Sequence, residues 1–275
     1  MNTHIIVCCH KNDMMATTPP YYPLHVGKAI SAETLSVQGD DAGANISWKN
    51  PCYCELTGIY WAWKNLKGID IIGLCHYRRY FDFHHQVGYP HGIRHSETFP
   101  QFRLDVPQDI LEKVWKGNIV VPCARYLRES VQMHFCVNHD SNDYRLLRDT
   151  INQGAAPSIR KAFRKVFHRG IALHPYNMFI MRWDDFDAYC SWLFSQLERV
   201  EHGIDVSQRD SYQRRVFGFM AERLLGVWIT ANGKQIIEKP IVCFDDSKPT
   251  KTGNSYLAYR INGWIKQFGF VLMRL

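Results

Sequence analysis

A chain of 275 residues with 46% hydrophobic and 13% aromatic side chains has ample material for a packed core, which excludes intrinsic disorder and leaves room for one large domain or two small ones. The formal charge is +7, from 33 basic and 26 acidic residues, and the arginines are scattered in ones and twos. Nucleic acid is therefore a poor partner, whereas an anionic membrane surface or a phosphorylated small molecule suits the charge.

The nine cysteines are an odd set; Cys52 and Cys54 form a lone C-x-C and Cys8-Cys9 lies in a strand pattern, so neither a disulfide framework nor a zinc site is expected. Met1-Asn2-Thr3-His4 leads straight into an apolar run without a charged leader, and nothing approaches the roughly 18–20 apolar residues of a membrane span. A cytoplasmic protein is the expectation.

In chain order, residues 4–9 (HIIVCC) predict a buried strand ended by the polar turn His10-Lys11-Asn12-Asp13. Residues 14–50, with Pro19-Pro20 and Pro23, read as loop. A helix is predicted over about 51–67, with Leu56, Ile59, Tyr60, Trp63 and Leu66 at helical spacing, Asn50 as cap and Pro51 at the first position. Gly68 ends it and a strand over 69–75 begins at once. That rhythm predicts an α/β fold with a mostly parallel central sheet flanked by helices. Residues 82–107, holding His84, His85, His91 and His95, read as surface loop. A helix over 108–118, a strand to Val121, helices within 141–168, a strand over 176–181 and helices over 186–201 and about 209–229 follow. The division expected is one domain over 1–240 and an extension over 241–275. In the extension Leu257, Ile261, Trp264, Ile265, Phe268, Leu272 and Leu275 share a helical face with Arg260, Lys266 and Arg274 among them, which suits a helix docked on the domain or one lying in a membrane interface.

Three clusters carry chemistry. "GLCHYRRYF" (73–81) ends a core strand in cations and rings, where ligands gather in an open α/β sheet, and His76, Arg78 and Arg79 suit phosphate oxygens; the competing role is pairing with acids such as Asp82. The stretch Asn45–Thr57 gathers amides, Lys49 and Tyr53 before a helix, as a ribose and base pocket would, while Glu55 also suits the helix dipole. Asp210 and Glu222 offer a general base toward an acceptor hydroxyl, against plain roles as an N-cap and an exposed pair with Arg223. The histidines of 84–95 lack ligand spacing, Asp185-Phe186-Asp187 sits at a helix start, and no G-x-S-x-G, P-loop or G-x-G-x-x-G occurs.

The stretches "NISWKNPCYCELTGIYWAWKNL", "DIIGLCHYRRYF", "HPYNMFIMRWDDFDAYCSWLF" and "YQRRVFGFMAERLLGVW", preceded by "YYPLHVGKAI", resemble in that order a bacterial family of capsule and O-antigen glycosyltransferases, many catalogued as a domain of unknown function. The resemblance covers roughly 4–230. It implies a single GT-A-like domain binding a nucleotide-sugar at the C-terminal ends of its strands. Many GT-A enzymes hold a divalent metal with Asp-x-Asp; His76-Tyr77-Arg78 stands in that place here, which implies no metal cofactor, with manganese or magnesium left open. By the same resemblance His10, Lys11, Asn45, Asn50 and Glu55 line the nucleotide pocket. His76, Arg78 and Arg79 meet the diphosphate, with His76 as donor. His174, Asn177 and Tyr212 border sugar and acceptor, and Asp210 or Glu222 is the base. The implied partners are a UDP-sugar of galactose type, UDP-galactofuranose among them, and a lipid-linked polysaccharide acceptor at the inner-membrane surface, with transfer by inversion. The rival readings are a non-catalytic carbohydrate- or nucleotide-binding module and a metal hydrolase using the histidine loop.

Overall fold

The computed structural model describes residues 1–253 and 256–272. In β1 (Thr3–Cys9), Ile6 and Cys8 pack into one core and Ile5, Val7 and Cys9 into another on the opposite face. Burial on both faces is why this run shows no polar alternation.

β2 (Tyr21–His25) and β3 (Gln38–Gly39) arise within the stretch expected to be loop. The prolines obscured them. Val26 N–H bonds Cys9 O, so by alternation the Pro23 nitrogen is turned away from β1, and β3 reaches only Leu24 and His25; no ladder bond is lost. The single helix expected over 51–67 is two, α1 (Asn50–Tyr53) and α2 (Leu56–Asn65), broken at Cys54, whose φ of 53° is left-handed. Asn50 secures the break rather than capping from outside: its Nδ2 donates to Cys54 O at 2.9 Å and Thr57 Oγ1 at 3.2 Å. Gly58 brings α2 close to the sheet, since a Cβ there would lie 2.8 Å from Val26 and 3.2 Å from Cys8 Sγ.

β4 (Ile71–His76) and β5 (Arg79–Phe81) flank the Tyr77-Arg78 turn, and β6 (His91–Arg94) forms inside the histidine-rich stretch expected to be loop. Then come α3 (Gln108–Trp115), β7 (Ile119–Pro122), β8 (Arg125–Tyr126), α4 (Val131–Asn138), α5 (Ser141–Gly154) and α6 (Pro157–Phe163). β9 (Ala172–Leu173), β10 (Phe179–Arg182), α7 (Trp183–Glu201), α8 (Val216–Ala231), β11 (Ile236–Lys239), β12 (Ile241–Phe244) and α9 (Tyr256–Leu272) complete the order. Leu275 and Arg274 of the predicted C-terminal face lie outside the described residues. Among the described residues no helix is long and apolar enough to cross a membrane.

The result is an α/β fold with a mostly parallel central sheet flanked by helices. The main path runs β11-β7-β10-β4-β1-β2-β3, with β10 antiparallel to β4 and β7. β5 branches from β4 and pairs with β12, which pairs with β6. The division expected at 240/241 thus falls just before a strand of the same sheet. Because β2 and β3 extend to one side of β1 and β4 lies on the other, the C-terminal ends of β1 and β4 form a topological switch point, where ligands bind in open sheets. The antiparallel β10 brings the residues before Phe179 to that same end.

Asp40 is fully buried and accepts from the N–H groups of Gly27 at 3.0 Å and Lys28 at 3.1 Å and from Ser47 Oγ, tying the loop after β2 to the entry of α1. Its removal leaves three donors without their acceptor. Asp40→Ala is expected to lower the unfolding free energy by about 2–4 kcal/mol in urea melts; a loss below about 1 kcal/mol would show that this tie does not hold the wall of the site.

Candidate active site

At the head of β10, Tyr176 and Asn177 both take left-handed backbone conformations, with φ of 75° and 53°. Such strain in non-glycine residues persists only where surrounding contacts fix it. They do so here from three directions. Tyr176 N–H donates to Glu222 Oε1 on α8, and Tyr176 O accepts from His76 Nε2 at 2.8 Å at the end of β4. Asn177 Nδ2 donates to Glu55 Oε1 at 2.7 Å and to Gly218 O at 3.2 Å. The turn therefore joins the two expected carboxylates, Glu55 and Glu222, to His76.

Electrostatics define this cluster further. Burial pushes the Glu222 carboxyl up and the Glu55 charge adds to it, while Arg223, the Tyr176 N–H and Arg125 pull the other way. Glu222 lies 3.7 Å from Arg223, which also donates to Phe219 O at 2.7 Å. Burial lowers the His76 pKa, opposed by Glu55 and reinforced by Arg79 and Arg215. A neutral His76 that donates Nε2–H to the Tyr176 carbonyl keeps only Nδ1, an acceptor. His76 thus braces the turn, and Nδ1 is the ring nitrogen left for a further partner. The Tyr176 ring carries Arg79 at 4.7 Å and Arg125 at 4.9 Å, and Arg125 also bonds its hydroxyl. Among the described residues, Arg79 Nε and Asn177 Oδ1 are buried without a hydrogen-bond partner.

A second group of cations stands beside it. The Tyr77 ring meets His10 edge-on at 5.2 Å, Lys11 at 5.9 Å and Arg78 at 5.1 Å. Burial lowers the His10 pKa, and the charges of Lys11, Arg78, His25 and Arg215 lower it further. Arg215 Nε bonds Cys54 Sγ at 3.2 Å, which puts its charge next to Glu55. Arg78 and Arg79, adjacent in sequence, serve different groups. Arg78 pairs with Asp245 at 3.8 Å and Arg79 covers Tyr176.

The remaining expected residues fall further out. Asn50 forms the wall between the Gly27 turn and Cys54. Asn45 spends its amide on its own loop, donating to Asp41 O and Gly43 O and accepting from Ser47 N–H. Asp210 Oδ1 accepts from Tyr212 N–H and Gln213 N–H, both at 2.8 Å, at the start of the segment that leads into α8. Tyr212 is half-exposed over His139 and Phe219. His174 donates Nδ1–H to Pro122 O at 2.8 Å, at the end of β7. Asp185 is bound by Arg182 at 3.1 Å and Lys234 at 2.6 Å, a structural use of the one D-x-D. Among the described residues no group of three His, Cys, Asp or Glu side chains converges as metal ligands. Tyr176 and Arg215 were hinted at only by their place beside named residues, in HPYNMF and YQRRV, and Arg125, in PCARYL, carried no signal in the sequence.

These features define an α/β protein with a cation-lined polar site at the switch point of its sheet. The chain belongs to the family described as a domain of unknown function (DUF4422), which it matches over residues 4–233. It is similar to the apo structure of the bifunctional glycosyltransferase WbbM, with 28% identity and a TM-score of 0.79 over 90% of this chain and 46% of that one. The chain thus spans about half the length of that protein. No curated protein matches it.

The raised Glu222 pKa has a direct consequence. The folded state holds this proton more tightly than the unfolded chain, so its stabilising contribution is complete in acid and is lost as pH rises through the folded value. The melting temperature of Glu222→Gln relative to the parent is expected to rise between about pH 4 and pH 7. A difference that stays constant across that range would mean that Glu222 is not raised.

Proposed function

We propose that the protein is a glycosyltransferase that moves a hexosyl group of galactose type, the furanose form included, from a UDP-sugar to a lipid-linked polysaccharide acceptor, as a cytoplasmic enzyme peripheral to the inner membrane. The observation that carries this reading is the Tyr176–Asn177 turn, which gathers Glu55, His76 and Glu222 beside two groups of cations in a chain similar to a glycosyltransferase. The strand order, with its switch point at β1 and β4, supports a GT-A-like domain.

In this reading Lys11, Arg78 and Arg215 neutralise the donor diphosphate, and His10, Asn50 and the Cys54 break border the nucleoside. Arg79 and Arg125 sit toward the sugar. Glu222 takes the proton of the acceptor hydroxyl as that oxygen bonds the anomeric carbon. The bond from that carbon to the phosphate oxygen breaks, and UDP leaves with the electron pair. A carboxylate whose pKa is raised by burial is a stronger base than an exposed one. Inversion follows from this single displacement. Fixed guanidinium groups near the leaving diphosphate supply the charge that a metal supplies in other sites, and their pre-set positions add no reorganisation cost. The enzyme is accordingly expected to work without a metal cofactor.

Calorimetric titration with UDP tests the donor site. Binding of similar strength in EDTA and in manganese is expected, and Arg78→Ala or Arg215→Ala should each weaken it roughly tenfold. Binding that requires manganese would overturn the metal-independent account, and no binding in either would favour a non-catalytic module or another nucleotide. For the chemical step, Glu222→Gln should keep UDP affinity within about twofold yet lower transfer by about 10²–10⁴. Transfer that survives this substitution would move the base elsewhere, with Glu55 the next carboxylate at the turn.

A further inference from the structure

α9 is fastened to the domain by one side only. Tyr259 Oη donates to Ala124 O at 2.9 Å, and Gln267 accepts from Ile171 N–H and donates to Arg169 O, both at 3.2 Å. Gly263 is buried on Tyr126, whose ring lies 2.0 Å from where a Cβ would be. Positions 259, 263 and 267 recur every four residues and so form one face. On the other side, Leu257, Ile261, Trp264, Ile265 and Phe268 are between 52% and 69% exposed. At 3.6 residues per turn these five share an arc of about 100° turned away from the docking face. The helix is thus docked on its own domain, as the sequence allowed, while its apolar ridge stays uncovered among the described residues.

The charge around the helix selects what covers it. From residue 247 to 275 the chain holds Lys248, Lys251, Arg260, Lys266 and Arg274 and no Asp or Glu, so most of the net charge of +7 belongs to this segment. Lys248 and Arg260 also meet Asp245 at 2.8 Å and Glu238 at 3.8 Å. On α9 itself Arg260 and Lys266 lie toward the docking side rather than along the ridge. A second copy packed on this face would bring together two segments that hold no acidic residue, whereas an anionic bilayer complements both the positive segment and the apolar ridge.

We propose that α9 is an interfacial helix that docks the protein on an anionic bilayer, with Leu257, Ile261, Trp264, Ile265 and Phe268 set into the boundary between headgroups and acyl chains. Its use rests on the transferase reading above: Ala124 and Tyr126, which anchor α9, flank Arg125, whose guanidinium lies on Tyr176 of the site. Docking therefore presents the site beside the surface that carries a lipid-linked acceptor.

The test is co-sedimentation of the full chain with vesicles of phosphatidylglycerol and phosphatidylethanolamine, against phosphatidylcholine alone. Anionic vesicles should retain the chain, and binding should fall about tenfold or more on phosphatidylcholine or in Trp264→Glu/Phe268→Glu. The double variant should keep the parent melting temperature and UDP affinity, because both side chains are exposed and neither belongs to the site. Equal retention of parent and variant, or no retention on anionic vesicles, would overturn the proposal. So would a dimer in sedimentation velocity that the variant dissolves, since a second copy would then be the occupant. Vesicle binding that persists in a protein with no affinity for UDP would support the docking helix while refuting the donor reading.

Discussion

The site depends on holding two adjacent non-glycine residues, Tyr176 and Asn177, in the left-handed region. Each costs on the order of 1–3 kcal/mol in isolation. The cost is offset by bonds arriving from three separate parts of the chain: Glu55 beside α1, His76 at the end of β4, and Gly218 and Glu222 on α8. No one of these segments could impose the turn alone. The turn in return fixes the two carboxylates and the imidazole in one place, and gives the Tyr176 ring an orientation in which it carries Arg79 and Arg125.

The sheet explains why this occurs at one end. β1 and β4 run parallel and end together, and β10 enters antiparallel between β4 and β7, so its first residues meet the last residues of its neighbours. The cations separate into two sets around this edge. Lys11, Arg78 and Arg215 bear on His10, while Arg79 and Arg125 bear on Tyr176. β8 then carries this arrangement outward, because the residues on either side of Arg125 are those on which α9 rests.

Much of the fold was legible because two-sided burial leaves a plain mark. The runs HIIVCC and IIGLC are apolar throughout, and the helices α3, α5, α7 and α8 repeat their apolar residues at helical spacing. Short strands were hidden where local signals pointed elsewhere. β2 contains a proline that the open edge tolerates, β6 lies among histidines, and the helix broken at Cys54 keeps helical periodicity across the break. Among the site residues, Glu55, Glu222, Asn177 and the arginines of 78–79 could be named because polar groups are dense there. Asp210 satisfied the same pattern, yet its carboxylate serves its own helix start.

The sequence by itself determined the α/β rhythm, the positive charge, the cation-bearing strand end at 76–79 and an amphipathic C-terminal helix, since each is written in the order of neighbouring residues. Only the tertiary structure decided that Glu222 joins the turn, that His76 braces it, that Arg78 and Arg79 part company, and that α9 turns its apolar face outward. Those outcomes depend on contacts between residues far apart in the chain, 167 positions from Arg78 to Asp245, and side-chain direction at such separations is set by packing rather than by local pattern.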